Sequence, residues 1–363
     1  MKLLHADICR YELPFIAPVT VRGVLLRKRE GLLLRLTSEG ATAYGEIAPL
    51  TGLHAESLDE ALQVLTAFIP ELSRLTRNTS AERLRLIGET KLPPSVATGI
   101  EMALVNLEAL ETGSIPVFPD AFSPASKIPV NALLAGDTAT VLDRAAKRYT
   151  EGFRAFKLKV RKGQLDEAIA SIRAFHDMFG NNAELRLDAN QSLDFDEAVG
   201  FGKALPHGSI SYIEEPLTDA ALIPEFHAAT SLPSALDESL WQRPELLDEI
   251  GPEPLGALVL KPNCIGGIAK SLDIAAKAHR MGLQAVFSSA FESSVSLGMY
   301  ALLAAVSSPN PAASGLDTAS FLADDLTDTP FAAPDGFADP AAAWRDSLRV
   351  KPEMIEIVES WTL

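Results

Sequence analysis

The sequence predicts an α/β fold, a modified (β/α) TIM-type barrel carrying an α+β capping domain built from the N-terminal part and the C-terminal tail. Three observations point there. From about residue 128 onward, short apolar runs alternate with amphipathic stretches, the pattern of parallel strands joined by crossover helices. The runs number about eight, enough to close a barrel. The chain has 363 residues, more than the roughly 250 of a plain barrel, which leaves room for a second unit.

The expected barrel strands are 128–134, 153–160, 184–188, 210–214, 234–237, 256–261, 283–287 and 312–316. Between them, 164–179 sets Leu165, Ile169, Ile172, Phe175 and Phe179 at helical spacing, and 268–281 is a second helix of this kind. The longest apolar run, 295–306, is too short to cross a bilayer and reads as a buried helix. An open doubly wound sheet is the alternative, but no GxGxxG or Walker-type loop favours it. Ahead of the barrel, 3–13 and 31–37 read as strands and 57–68 and 80–87 as helices of the capping domain. Helix 96–110 leads into the barrel. The expected division is 1–96 for the cap and 97–329 for the barrel. The tail from about 330 to 363 is expected to rejoin the cap through a strand at 353–358. Segment 14–23, with Arg22, reads as a loop.

Composition narrows the function. Hydrophobic residues make up 47% and charged residues 22%, a composition for a packed core rather than disorder. The net charge of -16, with no basic stripe, argues against nucleic acid and anionic membrane as partners. An anionic substrate stays open where a metal or lysines reverse the local sign. Cys9 and Cys264 lie far apart, outside any CxxC, and read as reduced thiols of a cytoplasmic protein. Residues 1–10 hold no long apolar segment, so no signal peptide is expected. The six histidines show no ligand spacing, although His54 is placed to approach the barrel mouth. The sequence carries no signal for an oligomeric state.

Three expected strands end in acids: Asp188, Glu214 and Asp237, separated by 26 and 23 residues, about one β/α unit per step. In a parallel barrel all strand C-termini open on one face, so the carboxylates converge there. Crowded buried carboxylates repel one another. A hard divalent cation removes that cost, and oxygen-only ligands favour Mg²⁺ or Mn²⁺ over zinc. A single strand-end acid is more commonly a helix cap or a solvated loop residue; three in successive units are harder to dismiss. Glu215 follows Glu214 and Glu238 follows Asp237, and spacing alone leaves open which of each pair is the ligand. Asn190, two residues beyond Asp188, is placed to orient a ligand or to hold a metal-bound water.

The strand around Lys157 and Lys159 puts both lysines on one face. Two neighbouring cations are expected to depress each other's pKa and ready an amine to act as a base. Lys261 ends another apolar strand, 24 residues beyond Asp237. Strands two and six of a barrel are opposite, so Lys159 and Lys261 are expected to face each other across a substrate. Abstraction of a proton alpha to a carboxylate suits this set, because a metal can stabilise the enediolate that results.

The set Lys157-x-Lys159, Asp188-x-Asn190, Glu214-Glu215-Pro216, Asp237-Glu238-Ser239 and Lys261-Pro262 resembles the enolase superfamily, in its muconate lactonizing enzyme subgroup. The resemblance implies that the first acid of each pair binds the metal: Asp188, Glu214 and Asp237, around Mg²⁺ with Mn²⁺ as the alternative. It implies Lys159 as acid/base, Lys261 and Lys157 as its catalytic companions, and Asn190, Glu215 and Glu238 as a supporting layer. Segments 45–50, 128–134, 288–294 and 315–318 further resemble the o-succinylbenzoate synthase family of menaquinone biosynthesis, although Phe291 stands where that family often has leucine. That resemblance implies a Mg²⁺-dependent dehydratase, a small-molecule carboxylate as substrate, and Arg22, Ser288, Ser289 and Asp317 as substrate contacts. It also supports a closing role for loop 14–23. The nearest rivals keep the same site on other substrates: N-succinylamino acid racemase, dipeptide epimerase or muconate cycloisomerase. A Schiff-base aldolase using Lys159 or Lys261, and a barrel that only binds ligand, are different classes.

Overall fold

A computed structural model describes residues 2–119 and 121–363; Met1, where the segment read for a leader begins, and Asp120 lie outside them. The cap is built on strands β1 (Leu3–Val21), β2 (Val24–Ser38) and β3 (Thr42–Ile47), followed by helices α1 (Leu58–Leu75), α2 (Ser80–Gly88) and α3 (Pro94–Thr112). Ser57 and Thr79 start α1 and α2 with capping boxes closed by Glu60 and Glu82. Helix α3 has no polar face, because it is packed all round. It lies against β3 so closely that a Cβ on Gly45 would sit 1.9 Å from the Gly99 carbonyl oxygen.

Segment 14–23 is not a loop but the paired end of the β1–β2 hairpin. The ladder breaks between Pro14 and Val19, where Pro14 and Pro18 have no N–H to give, and then resumes from Val19–Leu26 to Val21–Val24. Arg22 and Gly23 turn the chain with φ of 45° and 82°, the two positive values that a tight hairpin turn requires. The prolines obscure these strands in the sequence. Strand β3, not expected from the sequence, forms the sheet edge beside β2.

The barrel runs β4 (Ile128–Pro129), β5 (Asn131–Leu134), α4 (Thr138–Thr150), β6 (Ala155–Lys159), α5 (Leu165–Phe179), β7 (Glu184–Asp188), α6 (Phe195–Ala204), β8 (Ile213–Glu214), α7 (Ile223–Thr230) and β9 (Ser234–Leu236). Short helices α8 (Ser239–Gln242) and α9 (Leu246–Ile250) lead to β10 (Leu255–Leu260). Then follow α10 (Pro262–Ile265), α11 (Ile268–Arg280), β11 (Gln284–Phe287) and α12 (Ser294–Ser307). Strands β5 to β11 form one parallel sheet in sequence order. The run 312–316, expected as the eighth strand, makes only two isolated parallel bridges, Val130–Ser314 and Ser288–Gly315. Those bridges nevertheless join the two ends of the sheet and close the barrel. The Ser314 N–H bonds Pro129 and the Gly315 N–H bonds Phe287. Helix α12 is buried along its whole length, as its uniform hydrophobicity requires.

The tail returns through β12 (Phe337–Ala338), which pairs with β4, and α13 (Pro340–Ser347), and ends in β13 (Glu356–Thr362). Strand β13 pairs antiparallel with β1, which joins the tail to the cap sheet as expected. No helix among the described residues is long and apolar enough to cross a membrane. Cys9 and Cys264 are both free and buried.

Cap and barrel are joined by buried acids. Glu46 of β3 accepts hydrogen bonds from the Ser293 and Ser296 N–H groups and the Ser293 hydroxyl at the start of α12, and from Tyr11. Glu101 of α3 accepts from Ile268 and Ala269 at the start of α11. Burial raises Glu101 to about 7, against those N–H groups and Lys270, while Asp273 adds to the rise. Its charge therefore costs nothing below about 4.5 and its full cost, about 3 kcal/mol, is present above about 7. Glu101→Gln is expected to flatten the fall in thermal midpoint between those pH values. A scan at pH 5, 6 and 7 checks it, and an unchanged slope counts against this origin.

Candidate active site

Period-two alternation builds the barrel lumen. Lys157 pairs across the sheet with Arg186, Lys159 with Asp188, and Asp188 with Glu214. The lower lumen is filled by Tyr212, Ala235, Ala257, Val259 and Val286, an apolar cluster separate from the helix-facing core. Two residues further along their strands come Glu214, Asp237, Lys261 and Ser288. The floor thus combines this apolar cluster with the buried Arg186, which lies over the Tyr212 ring, and the next layer is charged. Above it, the cap hairpin and the loop after β11 wall a cavity of about 790 Å³, into which Lys157, Lys159, Asn190, Glu238 and Lys261 open.

Asp188, Glu214 and Asp237 are 0%, 1% and 0% exposed. Lys157 lies between two of them, its Nζ 2.6 Å from Glu214 Oε1 and 2.8 Å from Asp188 Oδ2. Lys159 donates to Asp188 Oδ2 at 2.6 Å and to Asn190 Oδ1 at 2.8 Å. Lys261 pairs with Asp237 and lies over the Trp241 ring, 5.8 Å from its centroid. Glu215 turns the other way. It accepts from the Asp237 N–H at 2.7 Å and from the Ser239 N–H and hydroxyl at 2.8 Å each, so it holds the backbone that presents Asp237. Glu238 faces the cavity, where it accepts from Asn190 and meets Arg22 at 3.1 Å.

The charge layer is internally strained. Burial pushes Glu214 well above the ordinary carboxylate value, and Asp188 beside it adds to the rise. Burial also raises Asp237 to about 6, against Lys261. The same burial acts on Asp188, but Lys157 and Lys159 outweigh it and hold Asp188 low. Glu214 fares worse because it shares one lysine rather than having two. The expectation of lysines depressing one another is corrected for Lys157. Burial does lower it, but Asp188 and Glu214 at contact distance outweigh burial and raise it. Lys157 is thus a fixed cation.

The donor set fits a hard divalent ion: three carboxylates, all oxygen, all out of water. Asp237 Oδ1 is buried with no hydrogen-bond partner among the described residues, a state that a cation would relieve. The oxygens do not form a finished cage. Among the described residues no three His, Cys, Asp or Glu side chains are disposed to hold a metal. Lys157 and Lys261 stand among the acids, so loading an ion requires the carboxylates to turn from those ammonium groups.

Of the four expected substrate contacts, all line the cavity but none is idle. Arg22 is held by Glu238 and by Gln191 at 3.0 Å. Ser288 and Ser289 both bond the Gly315 carbonyl, and Ser289 also meets Thr318 at 2.6 Å. Asp317 has partners of its own: it is paired with Arg148 and lies beside Arg144. His54 does approach, but its Nε2 rests 3.1 Å from the Asn263 carbonyl, behind the Lys261 strand end. Sequence reasoning missed Gln191, which donates to Glu215, Ser239 and Gln242 across the supporting layer, and Arg144. Gln191 directly follows the Asp188-x-Asn190 motif, which is the signal that could have found it, whereas Arg144 lies on an amphipathic helix with no motif.

Comparison with known proteins identifies the family of the chain. A family model described as enolase C-terminal domain-like matches residues 140–343, and one described as the MenC N-terminal domain matches residues 3–107. The chain is 34% identical to o-succinylbenzoate synthase of Yersinia enterocolitica, over 87% of this chain and 91% of the relative. It is 31% identical to that of Haemophilus influenzae, over 86% and 89%. Among solved structures, an enolase superfamily member from Roseovarius nubinhibens complexed with magnesium superposes with a TM-score of 0.82 over 100% of both chains, at 19% identity.

Proposed function

Because the chain belongs to the o-succinylbenzoate synthase family of the enolase superfamily, we propose that it dehydrates 2-succinyl-6-hydroxy-2,4-cyclohexadiene-1-carboxylate to o-succinylbenzoate, a carbon–oxygen lyase step of menaquinone biosynthesis. The observation that carries this reading is one cavity holding Lys159 and Lys261 beside three buried carboxylates. Asp188, Glu214 and Asp237 would hold Mg²⁺, which supplies positive charge for the developing enediolate.

The two lysines of β6 differ in what they can do. The Lys157 side chain is 11% exposed and fixed between two acids, whereas that of Lys159 is 32% exposed. Lys159 is therefore the acid/base. As a free amine it takes the proton on C1, alpha to the ring carboxylate, and the electron pair moves into the carboxylate. The C6–O bond then breaks on the same face. The ammonium of Lys159 returns its proton to the leaving hydroxide, so water departs and C1=C6 completes the aromatic ring. Lys261 keeps its charge beside the ring and offsets the negative charge of the intermediate. Glu215 and Asn190 position Asp237 and Lys159.

Incubating the protein with the diene, with and without Mg²⁺, tests the proposal. Loss of diene absorbance is expected only with the metal. Racemisation of an N-succinyl amino acid with the diene left untouched would transfer the site to a rival substrate.

A further inference from the structure

The cavity has a second cationic pole, on the side of α4. Arg148 there is engaged through its Nη groups and the face of its guanidinium, although its Nε is buried without a partner among the described residues. It pairs with Asp317, meets Glu151 at 2.8 Å, and lies over the Phe153 ring at 3.9 Å. Arg144, one helical turn earlier, is not so engaged. Its Nη2 is 3.8 Å from Asp317 Oδ2, beyond hydrogen-bond reach, and it makes no hydrogen bond among the described residues. Its Nε is buried and unpartnered, as is Asp317 Oδ2. The guanidinium is held in place by the Phe321 ring, 5.0 Å from the ring centroid, and it faces the cavity that also holds Lys159 and Lys261.

A guanidinium offers five N–H donors in a planar fork that matches a carboxylate. Of the other cations of the cavity wall outside the charged layer, Arg22 is taken by Glu238 and Gln191, Lys162 by Glu197, and Arg161 lies exposed, whereas Arg144 has a buried Nε. Phe291 and Phe321 line the cavity on this side as an edge-to-face pair, centroids 5.7 Å apart. A hydrocarbon arm fits along such a pair, and a charged end fits beyond it.

We propose that Arg144 binds a second carboxylate of the substrate, the one ending the succinyl arm, and so selects for a dicarboxylate. This rests on the reading of the site as an o-succinylbenzoate synthase. It assigns the distal anion to α4 rather than to Asp317 or the serines after β11. Arg144 then acts in binding and not in proton transfer.

The test uses the Mg²⁺-loaded protein and three variants, Arg144→Met, Arg144→Lys and Arg161→Ala. Arg144→Met, which keeps an unbranched stem against Phe321, is expected to raise KM for the diene about 10- to 100-fold with kcat within about threefold, the loss of one charge-assisted contact. Calorimetry should show wild type binding o-succinylbenzoate more tightly than 2-butyrylbenzoate, in which a methyl group replaces the distal carboxylate, by a similar factor. Arg144→Met should abolish that preference, Arg144→Lys keep part of it, and Arg161→Ala keep it all. If Arg144→Met does not fold, Arg144→Lys against wild type decides by the same preference. A preference unchanged in the Arg144 variants overturns the proposal, as does an equal weakening of both ligands. Wild type that never turns over the diene overturns the parent reading and this one with it, a result separate from any variant's behaviour.

Discussion

Lys159→Ala is expected to lower kcat for the dehydration by about 10⁴-fold, the upper end for a single general acid/base. One amine is asked both to remove the C1 proton and to deliver a proton to the leaving hydroxide, so its loss affects both halves of the elimination. The fold should tolerate the change. The Lys159 side chain is 32% exposed, and Asp188 retains Lys157 at 2.8 Å. The thermal midpoint and Mg²⁺ affinity are therefore expected to stay near wild type. Steady-state rates at saturating diene, together with a melting curve and a metal titration, check all three. Residual activity within tenfold of wild type would remove Lys159 from its role.

Glu214→Gln should act through the ion instead. Glu214 is 1% exposed and shares its lysine with Asp188. Exchanging its charge for a neutral amide takes one anionic ligand from three. Changes in the supporting layer alone cost metal sites about 10- to 100-fold in affinity, so loss of a ligand should raise the Mg²⁺ requirement by at least about 100-fold. Activity should recover in part at high Mg²⁺, which separates this variant from Lys159→Ala, where no amount of metal restores turnover. Calorimetric Mg²⁺ binding reads the change without activity. A Mg²⁺ dependence equal to wild type would exclude Glu214 as a ligand.

Much of this site is legible because a parallel barrel converts sequence position into spatial position. An apolar run ending in a charge puts that charge on the C-terminal face, and successive units put such charges side by side. Asp188, Glu214, Asp237 and Lys261 follow from that rule, and Lys157 and Lys159 from the two-residue period. The long buried helix α12 is likewise carried by local hydrophobic pattern, whereas β13 leaves Ile357 and Val358 exposed and returns to β1 through backbone pairing.

What tertiary structure alone decides is where a polar group finds its partner. Whether Glu214 or Glu215 turns inward depends on three donors from the next strand end, which capture Glu215. Asp317 stands at a strand-end position like the others, yet Arg148, 169 residues away in sequence, takes it. Prolines hide the hairpin at 14–23, and its pairing is visible only once Val19–Leu26 and Val21–Val24 meet across the turn. Arg144 looks like any solvated residue of an amphipathic helix until Phe321 and the barrel closure place it on the cavity. The sequence by itself therefore determined the three acids and the lysines that the opening pattern announced, because strand direction and period are local. The surroundings of Arg144, Asp317 and Glu215 were decided by the fold, because hydrogen-bond partners come from residues that only closure of the barrel brings together.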